Sequence, residues 1–283
     1  MWEEESLQDI VCCVGQPIAG NPTQFMMERA FAAADLDWRY LTLEVSPDGL
    51  GDAVRGMRAM GFRGGNFTLP HKIAVLEHLD DLTETAELVG AVNCVYRKGD
   101  RLIGDNTDGK SFVESLKTLS NPKDKKVVIL GAGGAARAIA VEVGLAGAAG
   151  IAVVNRTPER GQNLVELLNN RVKTPSIFCP WEDDFELDED TDIVINATSI
   201  GVGDAEARVP LDFTFLQPHM VVADVIVNPP ETRLLRDAAE NGCRTLDSLG
   251  MLVNQGVTGF KIWTGIEPDA DVIREALEEF LEL

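Results

Sequence analysis

A lysine and an aspartate lie next to predicted strand ends, where either could handle a proton. The lysine closes the stretch Asn66-Phe67-Thr68-Leu69-Pro70-His71-Lys72. Strand alternation places Asn66 and Thr68 on one face, and Pro70 ends the strand just before Lys72. The aspartate, Asp108, lies where a predicted hairpin enters a helix, so it either caps that helix or faces a pocket. Spacing alone leaves structural and catalytic roles open for the pair.

Three glycines follow another predicted strand, at Gly131, Gly133 and Gly134. The first lets the chain turn sharply, and the turn lets backbone N–H groups at a helix start approach a pyrophosphate. A strand precedes this turn, an Ala-rich helix follows it, and a second strand ends at Asn155. Because that is the context a dinucleotide fingerprint requires, we expect a dinucleotide here.

The end of the second strand indicates which dinucleotide is bound. Where a free ribose 2′-hydroxyl would normally meet Asp or Glu, the chain has Asn155, Arg156 and Thr157, with Arg160 one turn on. An arginine binds a 2′-phosphate through charge-assisted hydrogen bonds, and a second one can stack on the adenine. The sequence therefore predicts NADP rather than NAD, the alternative being that both arginines are surface charges.

Strands and helices must alternate to position these groups. Residues 10–15, 38–45 and 64–70 have the pattern of strands, with helical patterns between and after them, which favours parallel β-α units. A hairpin is predicted around Lys98-Gly99-Asp100. From residue 127 onward, further strands and helices predict a doubly wound sheet. The fold class is thus α/β.

Composition excludes several classes of protein. The 283 residues suffice for two domains, and 45% hydrophobic with 25% charged residues is typical of a globular protein. A formal charge of −21 disfavours nucleic acid as a partner. No apolar run approaches the ~20 residues of a membrane helix, and the acidic N-terminus is unlike a signal peptide. Five cysteines without metal-ligand spacing favour a reducing cytoplasm, and three scattered histidines predict no metal site.

Eight short motifs follow one another along nearly the whole chain. They are Gly15-Gln16-Pro17-Ile18, Asn66-x-Thr68-x-Pro70-x-Lys72, Gly90-Ala91-Val92-Asn93, Asn106-Thr107-Asp108, Gly131-Ala132-Gly133-Gly134, Asn155-Arg156-Thr157, Asn196-Ala197-Thr198-Ser199 and Gly250-Met251-Leu252-Val253-x-Gln255. In this order they resemble the shikimate/quinate dehydrogenase family. Eight motifs in register are far more specific than a single dinucleotide fingerprint.

The resemblance implies a domain organisation and a reaction. It implies an N-terminal α/β substrate-binding catalytic domain over residues 1–108, rejoined by 250–283, and a Rossmann NADP-binding domain over 109–249. It also implies an enzyme that transfers a hydride reversibly between NADP and shikimate, or a close cyclic hydroxy acid, interconverting shikimate and 3-dehydroshikimate. The partner is then a small molecule, and the chain is a monomer or a homodimer.

The same resemblance assigns roles to individual residues. Lys72 and Asp108 correspond to the pair that contacts the hydroxyl that becomes a ketone, which leaves open which of the two is the formal base. The expected substrate-binding residues are Asn21, Thr23, Asn66, Thr68, Asn93 and Gln255. The expected cofactor-binding residues are Gly131, Gly133, Gly134, Ala135, Asn155, Arg156, Thr157, Arg160, Thr198 and Val225.

Three positions depart from the family pattern. Asn21 and Thr23 stand where the family usually has a Ser-x-Ser pair that grips the substrate carboxylate, and both can still donate hydrogen bonds. Val227 replaces a tyrosine and cannot donate, while Ser111 replaces a glycine common after Asp108. One lost hydrogen bond costs ~1–3 kcal/mol of binding. A paralogue acting on quinate, aminoshikimate or another cyclic hydroxy acid is therefore one alternative, and a non-catalytic NADP-binding sensor is another.

Overall fold

Two six-stranded sheets organise the part of the chain that the computed structural model describes, residues 7–283. The sheets belong to two separate units. The first unit comprises the chain up to Thr107 together with Gln255–Leu283, and the second comprises Asp108–Asn254, where the sequence predicted 109–249. The acidic stretch 1–6 lies outside the described residues.

The first unit is built from short strands and helices in alternation. Its elements up to Thr107 are β1 (Asp9–Gly15), α1 (Thr23–Ala33), β2 (Trp38–Glu44), α2 (Leu50–Ala59), β3 (Gly64–Phe67), α3 (His71–Ala74), β4 (Asp81–Leu82), α4 (Glu84–Val89), β5 (Cys94–Lys98) and β6 (Arg101–Asp105). The sheet order is β2-β1-β3-β5-β6-β4. Strands β1, β2 and β3 pair in parallel, as the alternation predicted.

In the other half of this sheet, the prediction of parallel β-α units is wrong. Strand β5 is antiparallel to both β3 and β6, so the sheet is mixed. The predicted hairpin is the reason, because a two-residue turn at Gly99, with a φ of 62°, reverses the chain between β5 and β6. Cys12 and Val14 of β1 and Phe67 of β3 are buried in the core on this sheet.

The second unit is a doubly wound parallel sheet. Its elements are α5 (Asp108–Lys117), β7 (Lys126–Leu130), α6 (Gly134–Leu145), β8 (Gly150–Asn155), α7 (Pro158–Leu167), β9 (Ser176–Pro180), β10 (Ile193–Asn196), β11 (Val221–Asp224), α8 (Arg233–Glu240) and β12 (Arg244–Leu246). The order β12-β11-β10-β7-β8-β9 reverses direction between β7 and β10, as in a Rossmann fold. All five strand pairs are parallel.

Continuous apolar runs explain why this sheet is covered on both faces. In β7 and β10, Ile129 and Ile195 contribute to one core cluster, whereas Val128 and Val194 contribute to the other. Strands buried on both faces lose the polar alternation that a half-exposed strand shows. The predicted α/β class, with a Rossmann-type sheet in one of two units, is confirmed.

Two helices complete the described chain. Helix α9 (Leu249–Thr264) begins in the second unit and ends in the first, and α10 (Ala270–Leu281) lies in the first. Helix α10 is amphipathic, and its Ile273, Ala276 and Leu277 are buried. Within residues 7–283, no helix combines the length and the apolarity needed to cross a bilayer.

Candidate active site

The lysine of the Asn-x-Thr-x-Pro-x-Lys stretch is held through its backbone. Helix α3 starts right after Pro70, and the buried His71 places its ring Nε2 2.8 Å from the carbonyl oxygen of Val45. The carbonyl of Lys72 accepts the N–H of Val92 at 2.7 Å. The Lys72 side chain is half-buried, and its charge lowers the pKa of the Cys13 thiol, although burial raises that pKa to about 11 overall. These backbone contacts fix the start of α3, where Lys72 lies.

Asn66 and Thr68 flank a buried phenylalanine, as the alternation predicted. Both are half-buried, while Phe67 between them is 1% exposed. The side-chain Oδ1 of Asn66 accepts the Tyr40 hydroxyl at 2.7 Å, and its Nδ2 donates to the Asn93 carbonyl at 3.1 Å. The structure thus links two of the predicted substrate-binding residues, Asn66 and Asn93, by a direct hydrogen bond.

Asn93 is buried and forms hydrogen bonds with Thr107, the last residue of the connection between β6 and α5. Its Nδ2 donates to the hydroxyl of Thr107 at 3.0 Å, and its Oδ1 accepts the Thr107 N–H at 2.7 Å. Nearby, Asn106 donates from Nδ2 to the Ala91 carbonyl at 3.0 Å. These hydrogen bonds therefore join the motif that contains Asn93 to the motif that contains Asn106. They fix the backbone as far as Thr107, the residue before Asp108.

Asp108 is the first residue of α5, so it is not the N-cap, which is the residue just before the helix. Asp108 is buried, with 9% of its surface exposed. The next residue, Gly109, is packed so closely that a Cβ there would lie 2.2 Å from the Ala138 carbonyl. This close packing of α5 on α6 requires the glycine and fixes the start of the helix that carries Asp108.

The residues at the altered Ser-x-Ser position lie at the start of α1. Thr23 is the first residue of this helix, and the Asn21 side-chain oxygen accepts its N–H at 2.9 Å. Both are half-buried. Because Oδ1 of Asn21 already accepts this bond, the amide's Nδ2 is the group that can donate to a ligand. Asn21 also lines a cavity of about 450 Å³, together with Gly20, Gln24, Phe25, Glu28, Thr42 and Phe280.

Two further predicted positions lie elsewhere. Gln255 is half-buried on α9, where the chain re-enters the first unit. Val227 is half-buried shortly after β11, in the second unit.

The glycine turn has the geometry that a pyrophosphate requires. Gly131 has a φ of 109°, and a Cβ there would lie 2.8 Å from the Ala197 carbonyl oxygen, so only glycine fits. Gly133 is the N-cap of α6 and, like Gly134 and Ala135, is exposed. No atom lies within 4 Å of a Cβ built on Gly133 or Gly134. The turn leaves an open cradle at a helix N-terminus, which fits a phosphate group.

Two exposed arginines follow the second strand of this unit. Asn155 ends β8 and donates from Nδ2 to the Thr157 carbonyl at 2.9 Å, which shapes the turn that holds Arg156. Arg156 and Arg160 are exposed, and neither forms an ion pair with another residue of 7–283. Both guanidinium groups are therefore available to an anionic ligand such as a 2′-phosphate.

A buried polar network that the sequence did not predict lies at the ends of β10 and β11. Asp224, 2% exposed, accepts the Asn196 amide at 3.0 Å and the Thr232 hydroxyl at 2.7 Å. Burial raises the pKa of Asp224, and these hydrogen bonds oppose the rise. Thr198 donates its hydroxyl to Asn196 at 2.7 Å. The network supports the turns that contain the predicted cofactor residues Thr198 and Val225. An aspartate closing an apolar strand was the signal for it.

Within 7–283, no group of three or more His, Cys, Asp or Glu side chains is placed to hold a metal ion. Cys12 and Cys13 are buried in the core.

The fold and the site define a two-unit α/β protein with a Rossmann-type dinucleotide-binding unit. Family profiles match three stretches: the shikimate dehydrogenase substrate-binding domain over residues 13–95, shikimate/quinate 5-dehydrogenase over 114–201 and the shikimate 5′-dehydrogenase C-terminal domain over 249–278. A shikimate dehydrogenase (NADP(+)) from Alkaliphilus metalliredigens is 36% identical over 273 residues, covering 95% of this chain and 96% of the relative. The chain belongs to the shikimate/quinate dehydrogenase family, which confirms the resemblance.

Solved structures add a second kind of relative. A shikimate dehydrogenase in complex with NADP⁺ has a TM-score of 0.89 and 34% identity, over 96% of this chain and 95% of that one. The ligand-free 5-ketofructose reductase of Gluconobacter sp. strain CHM43 has a TM-score of 0.94 and 51% identity, over 96% and 99% of the two chains. The chain is therefore similar both to shikimate dehydrogenases and to a protein named as a 5-ketofructose reductase.

Proposed function

We propose that this protein is an NADP-dependent oxidoreductase that interconverts a hydroxyl and a ketone on a small polyhydroxylated substrate. Shikimate, interconverted with 3-dehydroshikimate, is its first candidate substrate. The observation that carries this proposal is the direct hydrogen bond between Asn66 and Asn93, in a chain that retains Lys72 and whose curated relative is an NADP(+) shikimate dehydrogenase. A non-catalytic sensor would have no need of the lysine.

Different residues of the chain transfer the proton and bind the substrate. Lys72 and Asp108 contact the reacting hydroxyl, and one of them takes its proton as the ketone forms. The remaining ring hydroxyls are bound by Asn66, Thr68, Asn93 and Gln255, and the carboxylate end of the substrate is bound by Asn21 and Thr23. NADP, when bound, supplies the hydride acceptor.

The cofactor is bound by the second unit. The exposed turn at Gly131, Gly133, Gly134 and Ala135 binds the pyrophosphate with its backbone N–H groups. Arg156 and Arg160 bind the 2′-phosphate and the adenine face. The remaining cofactor contacts come from Asn155, Thr157, Thr198 and Val225.

A neutral sugar ketone is the second candidate substrate, and two observations favour it. The 51% identity to the Gluconobacter reductase exceeds the 36% identity to the shikimate dehydrogenase relative. In addition, Val227 stands at the carboxylate end of the pocket where the family has a tyrosine, and it cannot donate a hydrogen bond to a carboxylate. Amides and hydroxyls suit a sugar hydroxyl as well as they suit a carboxylate. Quinate and aminoshikimate, which are cyclic hydroxy acids like shikimate, remain further alternatives.

A substrate panel tests these assignments. Initial rates of NADP⁺ reduction are measured with shikimate and with quinate, and rates of NADPH oxidation with 3-dehydroshikimate and with 5-ketofructose. Turnover of shikimate and 3-dehydroshikimate supports the first candidate, and turnover of 5-ketofructose alone supports the second. Absence of turnover with every substrate, despite tight NADPH binding, would contradict the proposal.

Location and assembly are also part of the proposal. The five cysteines form no disulfide, which suits the reducing cytoplasm. The protein acts on a small molecule as a monomer or a homodimer, and its net charge of −21 makes nucleic acid an unsuitable partner.

A further inference from the structure

The orientation of the Asn66 side-chain amide is fixed by its neighbours. The carbonyl oxygen of Asn93 can only accept a hydrogen bond, so the amide end 3.1 Å from it must be Nδ2. The opposite end, Oδ1, then accepts the Tyr40 hydroxyl at 2.7 Å. Rotating the amide by 180° would place Oδ1 against the Asn93 carbonyl. The two contacts therefore select one orientation.

Tyr40 is itself held rigidly, on strand β2. Its side chain is completely buried, and its backbone N–H donates to Oε1 of Glu28 at 2.6 Å. Its ring packs on Trp263 with the ring centroids 6.0 Å apart, and the indole N–H of Trp263 donates to the Val95 carbonyl at 2.9 Å. A side chain fixed at its backbone and its ring holds its hydroxyl in one place.

The Tyr40 hydroxyl is the hydrogen-bond donor to Asn66. Burial raises the pKa of Tyr40 well above its usual value, so the phenol keeps its proton. Because Oδ1 of an amide can only accept, the phenol donates to it at 2.7 Å. A hydrogen bond to the amide oxygen polarises the amide, which strengthens its N–H groups as donors.

We propose that Tyr40 is a positioning residue for substrate recognition: its hydroxyl fixes and polarises the Asn66 amide so that the second N–H of Nδ2 donates to a substrate oxygen. The inference rests on the proposed function, in which Asn66 binds substrate. It names a residue outside all eight family motifs, on a strand that contributes none of the predicted site residues. Tyr40 touches no substrate and acts only through Asn66.

A double-mutant cycle tests the inference. We compare the wild-type protein with Tyr40→Phe, Asn66→Ala and the double variant, using the member of the substrate panel with the highest turnover. Tyr40→Phe keeps the buried ring and removes only the hydroxyl. We expect it to raise KM about fivefold with little change in kcat, the size of one hydrogen bond. In the Asn66→Ala background the same change should raise KM less than about twofold, because the amide it positions is gone.

A matched variant separates positioning from general damage to the fold. Tyr96→Phe makes the same chemical change on β5 and should leave KM unchanged. Equilibrium unfolding and the Kd for NADPH are measured for each variant, and NADPH binding should stay at the wild-type value.

The outcomes are distinct. An equal rise in KM from Tyr40→Phe in both backgrounds, or no rise in either, overturns the inference while leaving the proposed function intact. An unchanged KM in Asn66→Ala removes Asn66 from substrate binding and overturns the inference with it. Wild-type protein that turns over no member of the panel refutes the proposed function first.

Discussion

Asn93 bonds to Thr107 with both ends of its side-chain amide, donating to the hydroxyl at 3.0 Å and accepting the backbone N–H at 2.7 Å. Both residues are buried. The family resemblance assigns Asn93 to substrate binding, but this geometry gives it a structural task as well. It holds the last residue before Asp108, the start of α5.

Replacing Asn93 should therefore affect stability and turnover together. Asn93→Ala leaves the buried Thr107 N–H without its acceptor, which costs about 1–3 kcal/mol of unfolding free energy. Turnover should fall as well, because the residue before Asp108 loses its anchor. Urea unfolding and kcat are measured for Asn93→Ala and for Asn93→Asp, which keeps the acceptor and should lose less stability. Equal loss of turnover in both variants at wild-type stability would instead indicate a role in substrate binding alone.

Lys72 should be needed for turnover and not for cofactor binding. Lys72→Ala removes the ammonium group and should lower kcat by about 10²–10⁴-fold, the usual contribution of a general acid or base. The Kd for NADPH, measured by fluorescence titration, should stay the same because the predicted cofactor residues lie in the other unit. Lys98→Ala, at the exposed hairpin turn of the same unit, is the matched control and should be fully active. Wild-type turnover by Lys72→Ala would remove this lysine from the mechanism.

Arg156 should set the preference for NADP over NAD. Its guanidinium is exposed and forms no ion pair with residues 7–283, so removing it costs the protein little. Loss of charge-assisted hydrogen bonds to the 2′-phosphate should weaken NADP binding about tenfold to a hundredfold and leave NAD binding unchanged. The ratio of kcat/KM with the two cofactors measures this in Arg156→Ala, with the exposed Arg171→Ala as control. An unchanged ratio would mean that Arg156 is a surface charge.

Local signals predicted most of the fold and much of the site. The continuous apolar run of β7, the glycine turn and the Ala-rich α6 are encoded within about 20 neighbouring residues, and the structure has them where the sequence placed them. Strands β4 and β9 were not predicted. Asp81–Leu82 is too short to show a period, and Ser176–Pro180 contains a proline, which argues against a strand except at an edge, where β9 lies.

Non-local relationships account for what the sequence could not reveal. The bond between Tyr40 and Asn66 joins residues 26 positions apart on different strands, and no motif marks it. The network around Asp224 likewise joins Asn196 and Thr232, which meet only when β10 and β11 pair. Strand pairing and close packing create both sets of contacts, so periodicity and spacing do not show which residues meet.

Asp224 should make the protein less stable as pH rises, which is the opposite of the usual effect of an aspartate. Burial raises its pKa above the usual 3.8, so just above that pH the native state keeps a proton that the unfolded chain has released. The contribution of Asp224 to the free energy of unfolding therefore falls as pH rises from 3.8 through the native pKa. This fall amounts to about 1.4 kcal/mol for each unit by which the native pKa is raised, and Asp224→Asn should remove it.

Urea unfolding across this pH range measures the effect, and a second aspartate provides the contrast. The Arg208 guanidinium holds the pKa of Asp184 below its usual value, so the stability it provides is lost as pH falls. Asp184→Asn should thus change the pH profile in the opposite direction, and only slightly, because the pair is exposed to solvent. Parallel profiles for the wild-type protein and Asp224→Asn would show that Asp224 has the same pKa in the native and the unfolded states.

Ser111 and Ser115, one turn apart on α5, should respond oppositely to the same substitution. The Ser111 hydroxyl is buried and finds no hydrogen-bond partner among residues 7–283, whereas the Ser115 hydroxyl donates to the Ser111 carbonyl at 3.0 Å and accepts the Asn254 amide at 2.8 Å. Ser111→Ala removes an unsatisfied polar group from a helix and should raise the unfolding free energy by about 1 kcal/mol. Ser115→Ala leaves the half-buried Asn254 amide without its acceptor and should lower the unfolding free energy, by at most a similar amount. Urea unfolding of the two variants at one pH decides this, since a loss of stability in Ser111→Ala would mean that its hydroxyl has a partner, such as a bound water, in solution.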